Sequence, residues 1–331
     1  MDELFELVEL LKQIGDEAAE APPPQPRSGE EEGEARVDCH YYEVVYEQSE
    51  PPGDVHGLDS HTVVVEFGGA SVIVATGALV GRQTAFVPGV QARWLGLRLN
   101  YRWRGDVPKG GRLYVWSEYL DRPFDVHFDL ESARDEVRIH VEEALARAWD
   151  GGGVLVVDGP IFRAAAATEM EGEYGELYRA FIRRRAELFR GKRAVGVVKR
   201  LERSTYLSRC VGQGANDEVT AIRLLEGRPG YVGPVAVEAE GYVKWMYYAV
   251  VPAARGVRAL RVEALDEELA AEAASWMAPL ADAFGVPMPV TIADKLARRL
   301  NASIVKMLYA MSPVEPTYRG LEAVLDALRE S

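Results

Sequence analysis

The chain has 331 residues, 48% of them hydrophobic and 27% charged. That composition excludes a disordered or fibrous chain and allows one large domain or two ordinary ones. With 38 Lys and Arg against 52 Asp and Glu, the net charge of −14 argues against a surface built wholly for nucleic acid. The longest apolar stretch, Val63 to Val80, is broken by Glu66, Gly68 and Gly69, so no membrane-spanning helix is expected.

The opening MDELFELVELLKQ has no basic region of the kind that begins a secretory signal. The two cysteines, Cys39 and Cys210, form no CxxC pair. Neither a disulfide framework nor a structural zinc site is therefore expected, and a reducing, cytoplasmic compartment is.

The charge is unevenly spread. Residues 1–36 carry a net −8, and the stretch from Arg179 to Arg209 carries 11 bases against Glu187 and Glu202. A basic cluster in an acidic chain is either a phosphate footprint or a solvated face. Within it, Arg183, Arg184, Arg185, Lys192, Arg193 and Arg200 are the candidate DNA-backbone contacts. Arg far outnumbers Lys, and Asn and Gln are scarce, which hints at a thermophile or at genome composition.

In chain order, Leu4, Leu7, Val8, Leu11 and Ile14 recur at helical spacing, so residues 1–20 read as an amphipathic helix. Residues 21–36 read as an acidic Pro/Gly-rich linker, and residues 37–331 as one domain. The tethered helix either folds back on the core or docks on a partner, and its acidic outer face suits a basic groove on a protein. Val55 to Phe67 and Ala70 to Val80 flank Gly68-Gly69 and read as a hairpin. Gln91 to Arg104 alternates Leu95, Leu97 and Leu99 with Arg98, Asn100 and Arg102, which predicts a strand with one wet, basic face.

A helix is expected from Glu131 to Trp149, a buried strand at Val154–Val157, a helix at Gly172–Arg190 and a second buried strand at Ala194–Val198. Strands are expected at Glu218–Leu225, Tyr242–Val251 and Val257–Val262, then helices at Asp266–Phe284, Thr291–Tyr309 and Pro316–Arg329. The order β-β-β-α-β-α-β makes a mixed α/β sheet flanked by helices, with additional C-terminal strands and helices.

No P-loop, HExxH or GxSxG motif is present, and the five histidines show no metal-ligand spacing. What remains is acids at strand ends. Asp158 follows the apolar VLVV run, where open α/β sheets place their sites, although Asp-Gly-Pro is also an ordinary turn. Asp59 sits inside a half-buried strand, a costly place for an unpaired acid. Glu142 borders the apolar stripe of the helix before Val154, with Glu143 adjacent to it. Such carboxylates bind Mg²⁺ or Mn²⁺ through oxygen, and paired ions can clamp a phosphodiester.

The run GLDSHTVVVEF, the helix RIHVEEALARAW, the strand and turn VLVVDGPI and the strand AVGVVKR together resemble the NurA family of DNA end-processing nucleases, over about residues 50 to 310. The resemblance implies an RNase H-like fold, a Mn²⁺-dependent carboxylate cluster, a homodimer, and partnership with a HerA-type hexameric ATPase in resecting DNA ends during double-strand break repair. By motif, Asp59, Glu142 (or Glu143), Asp158 and Lys199 take the family's catalytic positions.

Two departures stand out. Ser60 replaces a glycine, and in VPMPVTIADKLARR Asp294 stands where the family carries a histidine metal ligand. An aspartate is a harder oxygen donor and can still hold Mn²⁺. The alternative is a weakly active or inactive subunit that binds DNA or the ATPase.

Overall fold

The computed structural model describes residues 2–14, 37–39, 42–105, 109–164 and 172–329. In chain order it forms α1 (Asp2–Ile14), β1 (Val37–Asp38), β2 (Glu43–Val45), β3 (Val55–Glu66), β4 (Ala70–Val80), β5 (Ala85–Val87), β6 (Leu95–Leu99), β7 (Trp116–Ser117) and β8 (Arg122–Pro123). Then come α2 (Leu130–Ala148), β9 (Val154–Asp158), α3 (Gly172–Phe189), β10 (Ala194–Val198), α4 (Tyr206–Cys210) and α5 (Asp217–Leu224). The chain continues through β11 (Gly230–Ala239), β12 (Tyr242–Ala253) and β13 (Gly256–Ala264) to α6 (Glu267–Ser275), α7 (Met277–Leu280), α8 (Met288–Met311) and α9 (Tyr318–Arg329).

One mixed sheet organises the molecule, in the order β1-β11-β12-β13-β10-β9-β3-β4-β5, with β2 on β11 and β6 on β4. β4 runs antiparallel to β3, whereas β9 and β10 run parallel to it and to each other. β6, β4 and β3 pair antiparallel and β9 and β10 follow β3 in parallel, which is the mixed α/β sheet flanked by helices that the element order leads one to expect. β13, β12 and β11 extend it by antiparallel pairing beyond β10.

The period-two alternation of β3 assigns its two faces. Ser60 pairs with Gly77, where a Cβ would run into Leu145 and Val141 of α2. His61 pairs with Thr76, whose hydroxyl donates to the Ala297 carbonyl of α8 at 2.8 Å. α2 therefore covers one face and α8 the other, and Asp59 belongs to the α8 face. β9 from Val154 to Val157 and all of β10 are apolar, the pattern of strands buried on both faces.

Four expectations need correction. Arg98 is buried: Nε donates to the Phe128 carbonyl at 2.7 Å and Nη2 to that of Val126 at 3.1 Å. The segment entering α2 has carbonyls that need donors, so this strand presents no basic wet face. Residues 217–224 form a helix because the Asn216 side chain caps it, accepting from Val219 N. The strand partner of β12 is β11 instead.

Cys39 and Cys210 form a disulfide with Cα atoms 5.2 Å apart, tying the end of β1 to α4. The apolar stripe of α1 is buried in the chain's own core, with Leu4, Leu7 and Leu11 fully covered, so it is not free to dock elsewhere. The remainder of the expected helix and the linker at 21–36 lie outside the described residues. No helix among the described residues is long and apolar enough to cross a membrane.

Candidate active site

The pairing of β3 with β9 ends at Leu58↔Val157, so Asp59 and Asp158 stand one step further along, side by side and on the same face. The turn after Asp158 depends on two glycines. Gly159 has φ +98°, a conformation that disfavours any Cβ, and its N–H donates to the Val197 carbonyl at 2.9 Å. At Gly196 on β10 a Cβ would lie 2.6 Å from the Gly159 carbonyl oxygen. The turn can therefore pass directly over β10. Lys199, just past the end of β10, reaches back to Asp158 at 2.5 Å.

Asp294, in the second turn of α8, completes the group and is hydrogen-bonded to Asp59. Burial, then the charge of Asp158, then the contact with Asp294 push Asp59 well above the usual carboxylate range. Burial also raises Asp158, despite Lys199. Burial alone would raise Asp294, but hydrogen bonds from Arg298 and Asp59 hold it below its ordinary value. Of the three acids, Asp59 is therefore the one whose ionisation its surroundings oppose most. The three lie close together at the strand ends, where burial and mutual repulsion act against that charge.

Glu142 arrives from the opposite face. Ser60 Oγ, on the α2 side of β3, donates to it at 2.7 Å, and Arg185 of α3 pairs with it in the interior. Burial opposes its charge, but Arg185 and Arg138 hold it below the usual range. It lies close enough to Asp158 to raise that group. Glu143 is fully buried on another side of α2, bound to Arg184 at 2.7 Å and Arg147 at 3.0 Å. It does not line the cleft beside Asp158.

The basic segment is largely spoken for inside the chain. Arg183 pairs with Glu240, Arg184 with Glu143, Arg185 with Glu142, and Arg193 with Glu272 at 2.6 Å. Lys192 is partly buried, and burial followed by Arg147 lowers its pKa. Arg200 is exposed.

The sequence reading missed Ser60 as the group that orients Glu142. It also missed Arg138, whose position four residues before Glu142 on one helix was the available signal. Arg163, beyond the Asp158 turn, carried no such signal.

Residues 53–299 match the sequence profile of the NurA domain. The chain belongs to the NurA family. Comparison with curated proteins finds no match.

Solved structures of similar form include the NurA nuclease from Sulfolobus solfataricus, with 11% identity over 93% of this chain and 94% of that one and a TM-score of 0.47. Another is NurA with manganese, with 8% identity, coverage of 82% and 92%, and a TM-score of 0.46. A third is NurA bound to dAMP and manganese, with 8% identity, coverage of 88% and 90%, and a TM-score of 0.41. At these values the family assignment rests on the domain match.

The acids of this NurA chain suit a hard divalent cation by chemistry. All are oxygen donors, and the repulsion among them that raises Asp59 is what a cation would relieve. As the side chains stand, no group of three or more His, Cys, Asp or Glu among the described residues is arranged to hold a metal ion. Lys199 and Arg185 already pair with Asp158 and Glu142.

Proposed function

We propose that the protein is a metal-dependent deoxyribonuclease that hydrolyses phosphodiester bonds at DNA ends. The observation that carries this reading is the convergence of Asp59, Asp158 and Asp294 on one side of the strand ends, where burial and the neighbouring acids push Asp59 above its ordinary range. Asp59, Asp158 and Asp294 would hold Mn²⁺ or Mg²⁺, with Glu142 beside them and Glu143 outside the group. A bound cation would supply Lewis-acid polarisation of the phosphate and a more acidic water.

The chain's own groups do the rest. Asp59, whose charge burial opposes, would gain most from a bound cation. Lys199 orients Asp158 and offers a cation to the leaving or attacking oxygen. Ser60 and Arg185 fix Glu142, and Glu142 keeps local negative charge facing the cleft. Asp294 extends the oxygen set from α8, in the place where the family resemblance sets a histidine.

Family membership further supports work beside a HerA-type hexameric ATPase, as a homodimer, in end resection during double-strand break repair. The alternative is a NurA subunit that binds DNA or the ATPase without cutting, and the compensated state of Glu142 and Asp158 favours it. Purified protein incubated with linear DNA, with and without Mn²⁺, decides between them. Cleavage that needs the metal and disappears in Asp158→Asn supports the nuclease. DNA binding without cleavage under every metal supports the alternative.

A further inference from the structure

Next to Asp158 lies a cavity of ≈ 80 Å³ between α2, α3 and the turn after β9. Three guanidiniums from three separate segments line it: Arg138 of α2, Arg163 beyond the turn, and Arg185 of α3. Their internal partners leave them incompletely used. Arg163 reaches Asp135 only at 3.5 Å, and Arg138 stands 3.8 Å from Glu142, although it is 3.1 Å from Asp135. The Nε of Arg138 is buried with no hydrogen-bond partner among the described residues, an arrangement that interiors tolerate poorly.

The like charge of Arg138 makes Arg163 hold its proton less tightly than usual. Arg185 is better anchored, with Nε on the Ile161 carbonyl at 2.9 Å and a second nitrogen on Glu142. Asp135, Glu142 and Asp158 line this space as competing anions, so an occupant must present more negative charge and more acceptors than a single carboxylate.

We infer that this cavity receives the terminal phosphate of a DNA strand, a phosphomonoester, and so seats a strand end beside Asp158. Three features favour that group. A phosphomonoester carries close to two negative charges and three acceptor oxygens, and the planar forks of arginine match it. A diester offers one charge. Ile139, Phe162, Phe181 and Ile182 line the rest of the space with apolar side chains, beside which the arginine charges are less screened than in water. Asp158 lines the same cavity, so the bond nearest the seated phosphate lies at the carboxylates. The inference rests on the nuclease reading for what happens next, but phosphate capture itself needs no cleavage.

The test therefore measures binding in EDTA, where no cutting occurs. Internally labelled single-stranded oligonucleotides carry a 5′-phosphate, a 3′-phosphate, or hydroxyls at both ends, and fluorescence anisotropy gives their affinities at one fixed salt concentration. The full chain should prefer one phosphorylated end over the hydroxyl-ended strand by about tenfold, and the preferred end reports the polarity of seating. In Arg163→Gln that preference should fall to about one, with the affinity for hydroxyl-ended DNA unchanged.

Equal affinity of the wild-type chain for all three strands overturns the inference. So does a preference that survives in Arg163→Gln, or an equal loss for every strand, which would make Arg163 a general backbone contact. Arg163 is half exposed, so the variant is expected to fold, and its melting curve checks this. If Arg163→Gln melts early, the wild-type comparison still stands or fails by itself. A chain that shows the preference but never cleaves with Mn²⁺ would keep the phosphate site and lose the nuclease assignment.

Discussion

Two clusters of buried charge lie on either side of the turn that follows Asp158, and they are built differently. On β12 and β13, Glu263 is fully buried, yet it accepts from Lys244 at 2.9 and 3.0 Å, from Arg261 at 2.8 Å and from Ile161 N at 3.0 Å. Lys244 also donates to the Phe162 carbonyl at 3.0 Å. Burial opposes the charge of Glu263, but Lys244 and Arg261 hold it below the usual range. Across the turn, burial and then the charges of Asp158 and Asp294 push Asp59 well above the usual carboxylate range. The first cluster is closed, with one carboxylate held by two cations, and it fixes the backbone at Ile161 and Phe162. The second is open and short of positive charge, and that is where a ligand has something to contribute.

The strongest way to break this comparison is to neutralise an acid on each side. Asp158→Asn keeps the shape of the open cluster and removes one of its repelling charges. Metal-dependent cleavage of linear DNA should fall by roughly a thousandfold, about 4 kcal/mol of barrier, while the melting temperature holds. Undiminished cleavage would remove Asp158 from the chemistry, and a large drop in melting temperature would make it structural.

Glu263→Ala should do the reverse in kind. It leaves Lys244 and Arg261 buried without their carboxylate, so stability should fall by about 3–5 kcal/mol in denaturant titration. A loss under about 1 kcal/mol would show that the cluster is not closed.

The contrast also explains what the sequence could reveal. β4 and β10 have the expected bounds, and β3 and β9 come within a residue or so of theirs, because alternation and continuous apolar runs are local signals. Asp59 and Asp158 stood out for the same reason: each is an acid where the pattern wants an apolar residue. Glu263 sits in RVEAL and Lys244 in YVKWM, where an isolated charge in a strand reads as a solvent-facing position. Only the pairing of β12 with β13 in register Met246↔Glu263, next to Trp245↔Ala264, shows that these charges meet inside. Arg98 misled in the same way. Its partners are carbonyls some thirty residues away, and no periodicity encodes them. The strand expected at residues 218–225 reflects Val219, Thr220 and Ile222, whose β-propensity is overridden by the Asn216 cap and by buried Asp217, which accepts from Tyr206 N and Ser208 N.

A third buried group sharpens the comparison through pH. His140 on α2 lies among Arg184, Arg93 and Arg147, and burial first, then Arg184, lower its pKa to about 4. The native state therefore resists protonating it, whereas the unfolded chain protonates it at its ordinary value near 6.5. The stability it contributes is complete above about pH 6.5 and is lost as pH falls toward 4, on the order of 1–3 kcal/mol. His140→Gln should flatten that part of the stability profile and leave the neutral-pH melting temperature nearly unchanged. If wild type and variant fall in parallel between pH 6.5 and 4, other groups carry the acid sensitivity.

The smallest effects are expected at the surface. Of the arginines in the basic segment, Arg184 and Arg185 hold Glu143 and Glu142 and so belong to the frame of the site, so replacing them confuses DNA contact with site collapse. Arg183 and Arg200 can be tested cleanly. Arg183 is about half exposed, its pair with Glu240 is a surface one, and Arg200 is exposed. Arg183→Ala and Arg200→Ala should each change stability by less than about 1 kcal/mol. If each side chain neutralises one phosphate, each replacement should reduce the slope of log affinity against log salt by about one, uniformly across DNA sequences. The phosphate preference at strand ends should be untouched, because neither residue lines the cavity beside Asp158. A slope that stays the same in both variants would assign these arginines to solvated surface and confine DNA contact to other groups.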